Sequence, residues 1–116
     1  MVEQQTADDV IVETRRPAPE RATRPKKQPP YAVIVENDDF HTFEYVIEAL
    51  CKICGHSLEK AFLLAQEIHT SGRAIVWSGA LEVAELKRDQ IREFGPDHFP
   101  KKPVTFPLGV YVEPLA

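Results

Sequence analysis

Apolar residues follow two rhythms along this chain. The run Tyr31 to Glu36, YAVIVE, is β-branched and aromatic with no breaker, which predicts a strand. Alternation sets Tyr31, Val33 and Val35 on one face and Ala32, Ile34 and Glu36 on the other. From Phe43 to Cys54 the spacing becomes helical. Phe43, Val46, Ile47, Leu50, Ile53 and Cys54 recur at i, i+3, i+4, i+7, i+10 and i+11, a single apolar stripe. Gly55 ends that helix as its C′ residue, and Ser57 caps a second one. The inward stripe of the second helix is Leu58, Ala61, Phe62, Ala65, Ile68 and His69, and Gly72 ends it. A short strand at Ala74 to Trp77 follows. A third helix runs from about Leu81 to Phe94, capped by Ser78 or Gly79 and stopped by Gly95-Pro96. Leu108 to Glu113, LGVYVE, reads as the last strand. The order is β-α-α-β-α-β. Strands separated by helical segments in so short a chain predict an α+β fold, an antiparallel or mixed sheet with its helices on one face.

Residues 1–30 break both rhythms. Apolar residues are sparse, charges of both signs mix, and Pro17, Pro19, Pro25, Pro29 and Pro30 block regular hydrogen bonding, so this stretch is expected to be a disordered extension before a core domain over 31–116. The whole chain has 116 residues and is 43% hydrophobic, which suits one small domain plus a tail. Its net charge of −4 argues against a nucleic-acid binder, which would normally carry a basic face. No apolar run approaches the roughly 20 residues of a membrane span. The N-terminus lacks the apolar stretch of a secretory signal, so a cytoplasmic protein is expected. The two cysteines, Cys51 and Cys54, sit one helical turn apart; they are no disulfide framework and suit a reducing compartment.

Candidate chemistry concentrates where the first strand stops. Asn37-Asp38-Asp39 is an acidic turn whose short side chains can bond nearby backbone N–H groups. Such a turn can hold an amine, a metal or a helix N-terminus. Cys51-Lys52-Ile53-Cys54 invites a metal or redox alternative. A redox CxxC, however, normally sits at a helix N-terminus, where the dipole favours the thiolate, and this one sits at a C-terminal end. Zinc would need two further ligands, and only His56 is adjacent. Cys54 on the apolar stripe reads as a small core residue. For an enzyme there is no activated nucleophile and no Gly-rich phosphate loop. Adjacent Asp38 and Asp39 are not an acid/base pair disposed on opposite sides of a substrate.

YAVIVENDDFHTFEYVIEAL, LLAQEIHTSGRAIV and LEVAELKRDQI, in that order and spacing, together resemble the ClpS adaptor family. The likeness runs from about Tyr31 to Phe94 and resumes at Phe106-Pro107-Leu108. Its most specific pieces are the V-x-x-N-D-D turn, the H-x-x-G-[KR]-A-I stretch from His69 to Ile75, and E-V-A-E-x-K from Glu82 to Lys87. The resemblance implies a three-stranded antiparallel sheet packed on three helices, close to the C-terminal domain of the ribosomal stalk protein. It implies a monomeric adaptor without cofactor that binds bulky hydrophobic N-terminal residues, the N-degrons of bacteria. Such an adaptor passes its substrates to a Clp/Hsp100 AAA+ unfoldase, ClpA or ClpC, paired with ClpP. Carried over by position, Asn37, Asp38, His69 and His41 would surround the α-amino group. Phe43, Val46, Ala65, Ile68 and Leu108 would form the side-chain pocket, and Glu82 and Lys87 would face the unfoldase.

Several positions depart from the family pattern. His41 stands where Thr is usual and Thr42 where Pro is usual; His41 is a poorer helix cap and, if charged, would repel an ammonium. Phe43 and Ala65 replace two methionines of the pocket, which predicts a reshaped preference among Leu, Phe, Tyr and Trp or admission of Ile and Val. Gly79-Ala80 replaces an aromatic-Thr pair. The stretch from Gly95 to Pro107, with Phe99 and Phe106 as candidate anchors, is longer than the family's connection. A stalk-like interaction module without the pocket is the alternative of a different class; it would bind no free N-termini.

Overall fold

The central strand is β1 (Tyr31–Glu36), flanked on both sides in a three-stranded antiparallel sheet. The computed structural model of the chain describes residues 28–115 and gives the order β1, α1 (Phe43–Cys54), α2 (Leu58–Ser71), β2 (Arg73–Gly79), α3 (Leu81–Arg92), β3 (Val110–Pro114). Most of the expected N-terminal extension lies outside the described residues. The α+β architecture is the expected one: three antiparallel strands and three helices in the order β-α-α-β-α-β.

Val33 and Val35, fully buried, join Val46, Leu50, Ala61, Ala65, Ile68, Val76, Ala84 and Ile91 in one core between sheet and helices. The opposite face of β1 is also covered: Ala32 and Ile34 are buried. Ile34 pairs with Ile75 on one side and Tyr111 on the other, and the Arg73 guanidinium donates to the Tyr111 hydroxyl from strand to strand.

The helix boundaries follow their local chemistry. Thr42 is the N-cap of α1 and accepts from the Tyr45 N–H; Gly55 ends the helix in the left-handed region. Ser57 caps α2 as expected, and Gly72 ends it at φ 92°, a conformation that disfavours any side chain. The stripe of α2 is corrected. Ala61, Leu64, Ala65 and Ile68 are buried, whereas Leu58 is 69% and Phe62 45% exposed. The spacing i, i+3, i+4, i+7 starting from Ala61 faces the core and leaves both outside it.

Other boundaries also shift. β2 is longer than Ala74 to Trp77 because pairing with β1 recruits Arg73, Ser78 and Gly79, and a bulge at Val76 resets the register. Ser78 and Gly79 therefore cannot cap α3. Its N-cap is Ala80, without a side-chain bond. A Cβ at Gly79 would meet the tip of the Trp77 ring, so a side chain there would displace that ring. α3 ends at Arg92, short of Phe94, and β3 starts at Val110, since Leu108 turns into the core instead of the sheet.

Candidate functional site

β1 ends by handing its last amides to both neighbouring segments. Glu36 N–H donates to Gly109 O (2.8 Å) and Asn37 N–H to Gly72 O (2.9 Å). The second bond pins the acidic turn beside the end of α2, one turn beyond His69. Strand end, α1 N-terminus and α2 C-terminus thereby enclose a cavity of about 230 Å³, lined by Asn37, Asp38, Asp39, His41, Thr42, Phe43, Val46, Ala65, Ile68 and His69. The turn residues and His69 supply its polar lining; Phe43, Val46, Ala65 and Ile68 supply its apolar lining.

Asp38 is the most heavily bonded group of the turn. Its Oδ1 accepts from Phe40 N–H (2.8 Å) and His41 N–H (2.7 Å), and its Oδ2 meets His41 Nδ1 at 2.6 Å. Partial burial pushes the carboxyl up. The bonds from the His41 amide, the His41 ring and the Phe40 amide outweigh it, so the pKa lies below the ordinary value and the group is a carboxylate near neutrality. A carboxylate offers about four lone-pair sites, and three are used here. Among the described residues, one acceptor position on Oδ2 remains for an incoming donor.

His41 lines the cavity, yet its side chain is only 2% exposed. Its Nε2 lies 3.0 Å from the Phe106 carbonyl oxygen, so both ring nitrogens face acceptors. The doubly protonated ring satisfies both contacts; a neutral ring satisfies one. His41 therefore has no acceptor to offer a ligand and acts on the site through Asp38. Nor does it cap α1, a role that the next residue, Thr42, fills. His69 is exposed, packs edge-to-face on Phe43 (5.6 Å), and is an imidazole of the cavity wall with no hydrogen-bond partner among the described residues.

Of the pocket residues expected from sequence, Phe43, Val46, Ala65 and Ile68 come together around the cavity. Leu108 does not line it and is packed in the core at 4% exposure. On α3, Glu82 is exposed, whereas Lys87 is half-buried. Lys87 Nζ donates to Ile53 O (2.9 Å) at the end of α1 and lies 5.9 Å from the Trp77 ring centre. Sequence reasoning missed Thr42 and Asp97. Threonine directly before an apolar helical stripe is itself a cap signal; Asp97, 55 positions away, carried none.

The cysteines take no part in the cavity. Burial pushes the Cys54 thiol up to about 11, against a weaker opposing pull from Lys87, which disfavours thiolate chemistry. His56 Nε2 is 2.6 Å from Val76 O. Among the described residues, no group of three or more His, Cys, Asp or Glu side chains could hold a metal ion.

The family model for the ATP-dependent Clp protease adaptor protein ClpS matches residues 26–108. The ClpS adapter of Nostoc sp. is 46% identical over 80 residues, 66% of this chain and 82% of that protein. That of Thermosynechococcus vestitus is 42% identical over 79 residues, 67% and 84% of the two chains. Among solved structures, Agrobacterium tumefaciens ClpS2 bound to L-phenylalaninamide superposes with a TM-score of 0.65 at 25% identity, covering 76% of this chain and 99% of that one. The chain belongs to the ClpS family: it is an adaptor protein of the ATP-dependent Clp protease and not an enzyme.

Proposed function

We propose that this adaptor binds the free N-terminus of proteins whose first residue is bulky and apolar, and delivers them to a Clp AAA+ unfoldase of the ClpA or ClpC type coupled to ClpP. The observation that carries the reading is the cavity in which Asn37, the open position on Asp38 and His69 meet the apolar wall of Val46, Ala65 and Ile68. An α-ammonium group brings N–H donors and a positive charge, and its side chain leaves from the adjacent carbon. A ligand of that shape needs acceptors at one end of a pocket and apolar surface at the other.

The cavity volume is below the roughly 300 Å³ at which pockets for drug-sized ligands begin, which suits one side chain. L-phenylalaninamide, the ligand of the ClpS2 structure, has this shape, a free amine on a carbon that bears a benzyl group. The exposed Glu82 on α3 is the better-presented of the two expected docking residues, because Lys87 is already bonded within the fold.

Peptides identical except at the first residue test the reading by fluorescence anisotropy. Burying a Leu or Phe side chain contributes about 1.5–3 kcal/mol, so Leu- or Phe-first peptides should bind about 10- to 150-fold tighter than the Gly-first peptide. Ala65 in place of a larger residue should also allow Ile or Val to bind measurably. Equal affinity across the series would point to a stalk-like module that does not use the cavity.

A further inference from the structure

The stretch from Gly95 to Pro107 packs directly on the beginning of α1 beside the site. It closes on itself through paired backbone bonds, Asp97 N–H to Val104 O (2.8 Å) and Val104 N–H to Asp97 O (2.9 Å). From this loop and its two flanks three groups reach the beginning of α1. The Asp97 carboxylate accepts from Thr42 N–H (2.8 Å) and Thr42 Oγ1 (3.0 Å) through Oδ2, and from Phe99 N–H (3.0 Å) through Oδ1. The Phe106 carbonyl faces His41 Nε2, and the Phe106 ring stacks edge-on against His41 at 5.1 Å. The Gly95 carbonyl accepts from the Tyr45 hydroxyl (2.5 Å), and the Tyr45 ring also packs on His41, at 5.1 Å.

We propose that this loop is a clamp on the amine-binding turn, with Asp97 and His41 as positioning residues that fix Asp38 for the ligand; the proposal rests on the N-terminus-binding function above. Asp97 is the buried charged residue among the described residues, at 0% exposure. A buried carboxylate is costly unless its acceptors are filled, and two of its three donors belong to Thr42. Moving Thr42 away from the loop would strand that charge. Thr42 is covalently next to His41, and His41 holds the Oδ2 of Asp38, the same atom that retains the open acceptor position. Asp97 does not line the cavity, so it acts on amine recognition without touching a ligand there, through the residues it holds. Recognition by a few hydrogen bonds depends on holding them close to their productive geometry.

A cap with no further role predicts something different. Asp97 would then affect only how much of the chain is folded, and free and N-acetylated peptides would weaken together. The ratio of the two affinities separates the cases. It is measured by competition anisotropy on the full chain, with one Leu-first peptide in free and acetylated form, for wild type, Asp97→Asn, Tyr45→Phe and Ser57→Ala. The Asp97→Asn side chain keeps the shape but cannot fill both Oδ roles as an acceptor. The free-over-acetylated ratio should fall about 5- to 10-fold in Asp97→Asn and about twofold in Tyr45→Phe, which loses only the Gly95 contact. Ser57→Ala removes the cap of α2, away from the site; it should lower the urea midpoint and leave the ratio unchanged. An unchanged ratio in folded Asp97→Asn overturns the clamp. If Asp97→Asn does not fold, an unchanged ratio in Tyr45→Phe does so. A wild-type chain with no preference for the free amine overturns the binding function and the clamp with it.

Discussion

Asp38→Asn is expected to lose about 10- to 150-fold in affinity for a Leu-first peptide while unfolding at nearly the wild-type urea concentration. Asparagine keeps one carbonyl oxygen for the Phe40 and His41 amides that define the turn. It replaces the second oxygen, the one with an open acceptor position, by an NH₂ donor, and it removes the negative charge. A hydrogen bond to a charged group is worth about 1.5–3 kcal/mol, the range that sets the predicted loss. Asp38→Ala goes further, because it also frees the two amides and releases the His41 ring, so binding should be abolished. Isothermal titration of both variants, alongside urea denaturation, separates lost charge from lost turn. Wild-type affinity in Asp38→Asn would show that the carboxylate only shapes the loop.

The second large effect concerns stability. Leu50 is 1% exposed at the middle of the core that α1 shares with β1 and α2. Leu50→Ala removes its buried side-chain atoms and leaves a hole that close-packed neighbours fill only in part, which costs about 2–5 kcal/mol. Domains of this kind are stable by roughly 5–15 kcal/mol, so the variant should lose a large fraction of its stability and unfold at a much lower urea concentration. The same helix carries Phe43 and Val46 into the cavity, so peptide binding should weaken wherever the folded fraction falls. A loss under about 1 kcal/mol would contradict the placement of Leu50 in the core.

The elements that were legible in the sequence are those with a local cause. β1 and α1 were readable to the residue, because an unbroken β-branched run gives way to a clean helical period at one polar turn. Gly55, Ser57 and Gly72 mark helix ends by their own conformational chemistry. Of the residues that the family resemblance implied for the site, Asn37, Asp38, His69, Ala65 and Ile68 do line one cavity.

What was not legible depends on contacts far apart in the chain. Leu58 and Leu64 are equally apolar, and only the docking of α2 on the sheet decides which is buried. Lys87 reads as a surface charge until the end of α1 and Trp77 are placed beside it. Asp97 sits in a Pro-rich loop with no period of its own, and its partner is Thr42. By residue type His41 is a poor substitute for threonine as a cap; in the fold the cap moves to Thr42, and the imidazole becomes the link between the turn and the loop.

The central claim is that the cavity beside β1 recognises a free α-amine, and the most direct measurement compares one Leu-first peptide with its N-acetylated form. Acetylation removes the charge and most of the donors while leaving the side chain intact. With two charged hydrogen bonds lost, at about 1.5–3 kcal/mol each, the wild-type chain should bind the acetylated peptide at least about 100-fold more weakly. Equal binding of the two peptides would contradict the account.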